Sequence, residues 1–179
     1  HIMMNEFRKR PKIAGFLFTE FHDVINEWNG YYRFNRTKKM FGLDELAPGM
    51  TMNDFHSDLY VIPGDGFYNE YQGAEVVQMP LGISAVTAQI PEKMKLKYAM
   101  YGWNSFGDKI EHSAGEIEVT AEPFAFKQLA PVQVNMPAES MVMIFATTLE
   151  DASGKVLQRN FVPFRVNGIS NPDNLVITK

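Results

Sequence analysis

The arrangement of apolar and polar positions changes near residue 50. Before it, an uninterrupted apolar run, Ile13-Ala14-Gly15-Phe16-Leu17-Phe18, closes in Thr19-Glu20-Phe21-His22-Asp23. A run without polar alternation, ended by polar residues, predicts a parallel strand buried on both faces. Asn29-Gly30 marks a turn, and the polar, aromatic and basic stretch 31–40 reads as a structured loop. Residues 44–59 read as an interdomain connection, with Pro48-Gly49 and a helix start at Thr51, where Asp54 three positions on completes a capping box.

From Asp58 onward, short apolar segments alternate with Gly, Pro, Asn and Asp. The pattern predicts strands at 59–62, 75–83, 94–103, 115–121, 130–135, 140–149 and 155–166. Alternation is clearest at Ile117 and Val119, and at Val156, Val162, Phe164 and Val166. In the third strand, Tyr98 falls on one face with Met94, Leu96 and Met100, whereas Tyr101 and Trp103 share the other with Lys95 and Lys97. Asp151-Ala152-Ser153-Gly154 reads as a hairpin connection. Seven strands with this turn spacing predict a mainly β fold, an immunoglobulin-like antiparallel β-sandwich with Trp103 as its central aromatic. The expected division is a leading segment over 1–50, the sandwich over 51–168 and a tail over 169–179.

Composition narrows the function classes. At 179 residues the chain holds one ordinary domain with an appendage and falls short of a complete (β/α)8 barrel of about 250 residues. No run approaches the roughly 20 apolar residues that span a bilayer, and the N-terminus lacks the order of a signal peptide. His1-Ile2-Met3 reads as a cloning remnant, with the gene start expected elsewhere. The absence of cysteine excludes disulfides, thiolate metal sites and a cysteine nucleophile, and leaves the compartment open. Residues 1–50 carry eight Lys/Arg and six Asp/Glu, and residues 51–179 carry nine and fifteen, a balance that argues against nucleic acid as a partner.

Residues 11–42 read PKIAGFLFTEFHDVINEWNGYYRFNRTKKMFG. The basic lead-in, the Pro, the Ile-Ala-Gly strand, the Thr-Glu-x-x-Asp end and the Asn-Gly-x-Tyr loop resemble the end of the catalytic barrel in family 2 glycoside hydrolases. That group comprises β-galactosidases, β-glucuronidases and β-mannosidases. The resemblance implies a non-catalytic C-terminal fragment: barrel strand eight and its exit loop over 1–50, then an accessory sandwich. It also implies that both catalytic glutamates, about 5 Å apart in retaining glycosidases, lie upstream of residue 11. Thr19, Glu20, His22, Asp23, Trp28 and Asn29 would then sit near the sugar subsite, with Trp28 free to stack on a pyranose face. The implied partners are the catalytic barrel of the parent and an oligosaccharide, with no cofactor, metal, nucleic acid or membrane. The parent is expected to be a periplasmic or secreted bacterial enzyme. A barrel strand without its neighbours leaves apolar side chains and edge amides open, so residues 12–20 are expected to pair with the sandwich or with a second copy of the chain.

Other polar clusters carry less. On a strand, Glu20 and Asp23 point to opposite faces, and His22 with two carboxylates lacks further metal ligands, so substrate contact in the parent, or an exposed polar strand end here, is the better reading. His56 and His112 stand apart from any triad pattern and read as solvated or capping residues. The alternative function is a carbohydrate-binding module with a platform of Tyr101 and Trp103, or of Tyr68 and Tyr71 in the loop after Gly64 and Gly66. The methionines of the strands read as core filling.

Overall fold

The computed structural model describes residues 1–66 and 69–169. A short helix α1 (Ile2–Arg8), a single helical turn α2 (Leu43–Leu46) and a 3-10 helix (Met52–His56) precede eight strands. These are β1 (Leu59–Pro63), β2 (Glu70–Gln72), β3 (Val76–Ala85), β4 (Met94–Asn104), β5 (Lys109–Val119), β6 (Phe126–Asn135), β7 (Met141–Asp151) and β8 (Val156–Asn167). They form a three-stranded sheet, β1-β3-β6, and a five-stranded sheet, β2-β8-β7-β4-β5. Period-2 alternation turns one side of each sheet inward. Val61, Met79 and Ile83 of the first sheet meet Leu96, Met100, Phe145, Leu149 and Phe164 of the second in one buried core.

The edge of the three-stranded sheet is closed by side chains rather than by another strand. Gln158 Oε1 accepts the Val61 N–H at 3.1 Å, and Asn160 Nδ2 donates to the Val61 carbonyl at 2.7 Å. Unpaired backbone groups on β1 would otherwise be left dry, because all five of its residues are buried.

The outer face of the five-stranded sheet is divided along its length. At one end Lys95 pairs with Glu116 at 2.9 Å and Lys97 with Glu150 at 2.7 Å, and the face stays open. At the other end Tyr101, Ile144, Ala146 and Phe161 form a second core with Ala47 and Met50 of the leading segment, Phe55 of the 3-10 helix and Tyr60 and Ile62 of β1. Helix α1 joins the same layer. Tyr60 Oη donates to Asn5 Oδ1 at 2.9 Å, and the Arg8 guanidinium lies 5.2 Å from the centre of the Tyr60 ring. The Thr51–Asp54 capping box closes the 3-10 helix as the spacing predicts.

The structure corrects the following expectations. The run 13–18 is not a strand, and residues 12–20 enter neither sheet. An apolar run forms a buried strand only where flanking strands complete its ladder. Without them Leu17 is 98% exposed, and contacts are made through rings: Phe16 stacks 5.7 Å from His56 and Phe18 stacks 4.0 Å from Tyr31.

The strands number eight, and β2 runs parallel to β8, so the larger sheet is mixed rather than antiparallel. Three residues are too few to show a period. Strand β5 begins at Lys109, earlier than expected, because as an exposed edge strand it buries neither face there. Finally, Trp103 is half-buried on the outer face, not central. It shares its parity with Lys95 and Lys97, and Tyr60 and Phe145 are the large aromatics with no exposed surface.

Candidate functional site

The loop 19–41 is organised around one buried carboxylate. Asp23 accepts the Gly30 N–H at 3.1 Å and is paired with the Lys39 ammonium, which also donates to the Trp28 carbonyl at 2.8 Å. Backbone bonds from Asp23 N to Tyr32 O and from Tyr32 N to Phe21 O tie the two limbs of the loop together. Gly30 makes this crossing possible. A Cβ there would lie 2.2 Å from the His22 carbonyl carbon, so no larger residue fits without moving the backbone. Arg33 sits in a tight turn of its own, donating to Thr37 O at 2.9 Å and accepting from Arg36 N at 2.7 Å.

These constraints leave a cavity of about 590 Å³ lined by Asp23, Val24, Ile25, Trp28, Arg33, Phe34 and Lys39. Its wall is chiefly apolar, with Trp28 82% and Phe34 62% exposed. Its charged groups are the Asp23–Lys39 pair and Arg33. An aromatic face beside such a wall can take the apolar face of a ring, and a cation at the rim can take an acceptor.

Of the six residues singled out at the strand end, Asp23 and Trp28 line this cavity. Asn29 Nδ2 donates to the Thr19 carbonyl at 3.3 Å, so those two bond each other. His22 Nδ1 lies 2.8 Å from the Asp23 carbonyl, an acceptor, and must carry the proton. Glu20 is half-buried, with Oε2 lacking a partner among the described residues. Val24, Ile25, Arg33, Phe34 and Lys39 were not legible as lining residues. The Asp23–Lys39 contact spans 16 residues of loop without a period to betray it.

The aromatic platform is dispersed. Tyr101 is 3% exposed, its hydroxyl donating to the Leu46 carbonyl at 2.7 Å with the Lys109 ammonium 4.5 Å from its ring centre. Burial, with a smaller contribution from Glu111, pushes its phenol up to about 12. A ring so covered offers no face to a glycan. Trp103 meets Tyr101 edge-on at 6.4 Å, and Tyr71 meets Phe164 edge-on at 5.3 Å, both half-buried. Tyr68 lies outside the described residues.

His56 caps the join between the leading segment and the 3-10 helix, with Nε2 3.0 Å from Tyr31 Oη. Burial, and then Arg8, lowers its pKa below the ordinary value. His112 Nε2 donates to the Asn135 carbonyl at 2.7 Å. Among the described residues no group of three or more His, Asp or Glu is placed to hold a metal ion, and no helix is long and apolar enough to cross a membrane.

No protein-family profile matches the chain, and no curated protein matches it. Among solved structures, the sporulation control protein Spo0M of Bacillus subtilis aligns at a TM-score of 0.38 and 14% identity, over 63% of this chain and 50% of that one. A Bacteroides fragilis protein described as a β-galactosidase aligns at 0.36 and 13% identity, over 63% of this chain and 16% of its own. A calcium-binding mutant of Bacteroides uniformis β-glucuronidase 2 aligns at 0.27 and 16% identity, over 59% and 13%. This chain thus spans half or less of the length of each, and scores at this level assign neither family nor function.

Proposed function

We propose that this chain is a non-catalytic C-terminal part of a family 2 glycoside hydrolase acting on β-glycosides. In this reading residues 1–50 complete the catalytic barrel, and an immunoglobulin-like sandwich holds them in place. The observation that carries it is the surface of the leading segment. Leu17, Phe21, Ile25, Trp28, Phe34 and Met40 are all more than half exposed, within one short stretch of chain that also bears the Asp23 cavity. Apolar side chains concentrated in this way mark an interaction surface. A barrel that covers Leu17 and Phe21 while leaving Trp28 open to the sugar accounts for both features. The buried Asp23 is engaged by Lys39 and Gly30, which suits a group that shapes the loop better than one that transfers a proton.

The test is hydrolysis of a panel of nitrophenyl β-glycosides by the chain alone. No turnover above buffer is expected. Turnover abolished in both Glu20→Gln and Asp23→Asn would mean that the chain is a complete enzyme and would overturn the proposal.

A further inference from the structure

We infer that Asn29 is a latent deamidation site: it converts to isoaspartate when the contacts of Asp23 with Gly30 and Lys39 are released, is held unreactive while they stand, and once converted cannot return the loop to its folded form. This chemistry does not depend on what the cavity binds. An asparagine followed by glycine is open to intramolecular attack, because glycine carries no side chain to shield its amide nitrogen. The Gly30 nitrogen gives up its proton and attacks the Asn29 carboxamide carbon. The bond from that carbon to the side-chain nitrogen breaks, and ammonia leaves with the proton. Water then opens the resulting succinimide at either carbonyl, giving aspartate or isoaspartate.

Three features of the fold oppose the attack. The Gly30 N–H donates to Asp23 Oδ1 at 3.1 Å, and a carboxylate beside the nitrogen disfavours the anion that must form. The Asn29 carboxamide is turned across the loop, with Nδ2 donating to the Thr19 carbonyl at 3.3 Å. Gly30 is also buried against the opposite limb: a Cβ there would lie 2.2 Å from the His22 carbonyl carbon and 2.4 Å from the Asp23 nitrogen, so the peptide has no room to swing. The crossing is anchored by Asp23, which Lys39 pins from the far limb. The same packing rejects the product. Isoaspartate adds a carbon to the main chain between residues 29 and 30, where the two limbs already touch, and leaves a new carboxylate one residue from the Asp23 contact. The chain holds its own reference. Its other Asn-Gly pair, Asn167-Gly168, lies at the end of β8, and there the Gly168 N–H donates to the neutral Ser140 hydroxyl at 2.9 Å.

The experiment keeps the whole chain at mildly alkaline pH as wild type, Asp23→Ala and Lys39→Gln, with the wild type in concentrated urea alongside. Peptide mass spectrometry follows the gain of one mass unit at Asn29 and at Asn167, and enzymatic methylation tells isoaspartate from aspartate. Far-UV circular dichroism checks that the sheets persist. Wild-type Asn29 is expected to convert at least about tenfold more slowly folded than in urea, a ratio set by how rarely the loop opens. Asp23→Ala should recover most of the urea rate at Asn29 and leave Asn167 unchanged. Lys39→Gln, which leaves Asp23 on Gly30, should fall between and carries the comparison if Asp23→Ala does not fold. The converted fraction, separated by its added charge, should show a displaced Trp28 indole N–H signal. Equal wild-type rates folded and in urea, a folded variant no faster than wild type at Asn29, acceleration of both asparagines alike in a folded variant, or an unmoved Trp28 signal overturns the inference.

Discussion

Asn160 has no exposed surface and serves three separate parts of the chain. Its amide donates to Val61 O and to Asn5 Oδ1, and its carbonyl accepts the Phe161 N–H at 2.9 Å. Replacement by leucine leaves the Val61 carbonyl and the Phe161 amide buried without partners. Asn160→Leu is therefore expected to lower stability by about 2–4 kcal/mol in urea unfolding, with little change in the denaturant slope. Tyr101 contributes to the alkaline limit, beside Tyr60, whose phenol burial raises further still. The Tyr101 phenol is held at about 12 when folded against an ordinary 10, so its contribution is complete below pH 10 and is lost as pH rises through 12. Wild-type stability should fall across that window, and Tyr101→Phe should reduce the fall. His56 works in the opposite direction. Its lowered pKa means that its contribution is present above the ordinary value of 6.5 and is lost on acidification through the folded value, which a Gln replacement should abolish.

Among the elements, β4 and β7 are held on all sides: each pairs with two neighbours and gives side chains to both cores. Gly102 lies on β4, with the position of a Cβ 2.2 Å from the Val142 carbonyl oxygen. Gly102→Ala must shift backbone rather than a flexible side chain. It should cost about 1–3 kcal/mol or more, read as a lowered thermal midpoint. At the sheet edge, β5 carries a bulge at His112, whose side chain turns to the Asn135 carbonyl. A bulge and the charged Lys109, Glu111, Glu116 and Glu118 discourage another edge from docking there.

How much of this was legible depended on burial. Strands β3, β4, β7 and β8 alternate or run apolar because they face a core, and the sequence marks them well. The start of β5 and the three residues of β2 each touch the core through one side chain, Ile110 and Tyr71, and one contact leaves no period. The run at 13–18 misled for the complementary reason, since periodicity reports how apolar a segment is and not whether partners flank it. In the cavity, Asp23 and Trp28 were named through the resemblance of residues 11–42 to a barrel end, not through any period or spacing of their own. Arg33, Phe34 and Lys39 entered only when the Gly30 crossing folded their limb back.

At the scale of the whole molecule, the leading segment is both part of the body and a surface. Its inner side completes the second core through Ala47 and Met50, beside Phe55 of the 3-10 helix, and its outer side carries the cavity and the exposed apolar side chains. Phe55→Ala should therefore lower the main unfolding transition by about 3–5 kcal/mol. Leu17→Gln should leave it within about 0.5 kcal/mol and reduce self-association. The chain has two tryptophans, one lining the cavity and one on the outer face of the five-stranded sheet, and they report on the two sides separately. The most direct test is an NMR titration of both indole N–H signals with β-glycosides. The account predicts a saturable shift of the Trp28 signal with Trp103 unmoved. A shift of Trp103 alone, or of neither, would contradict it.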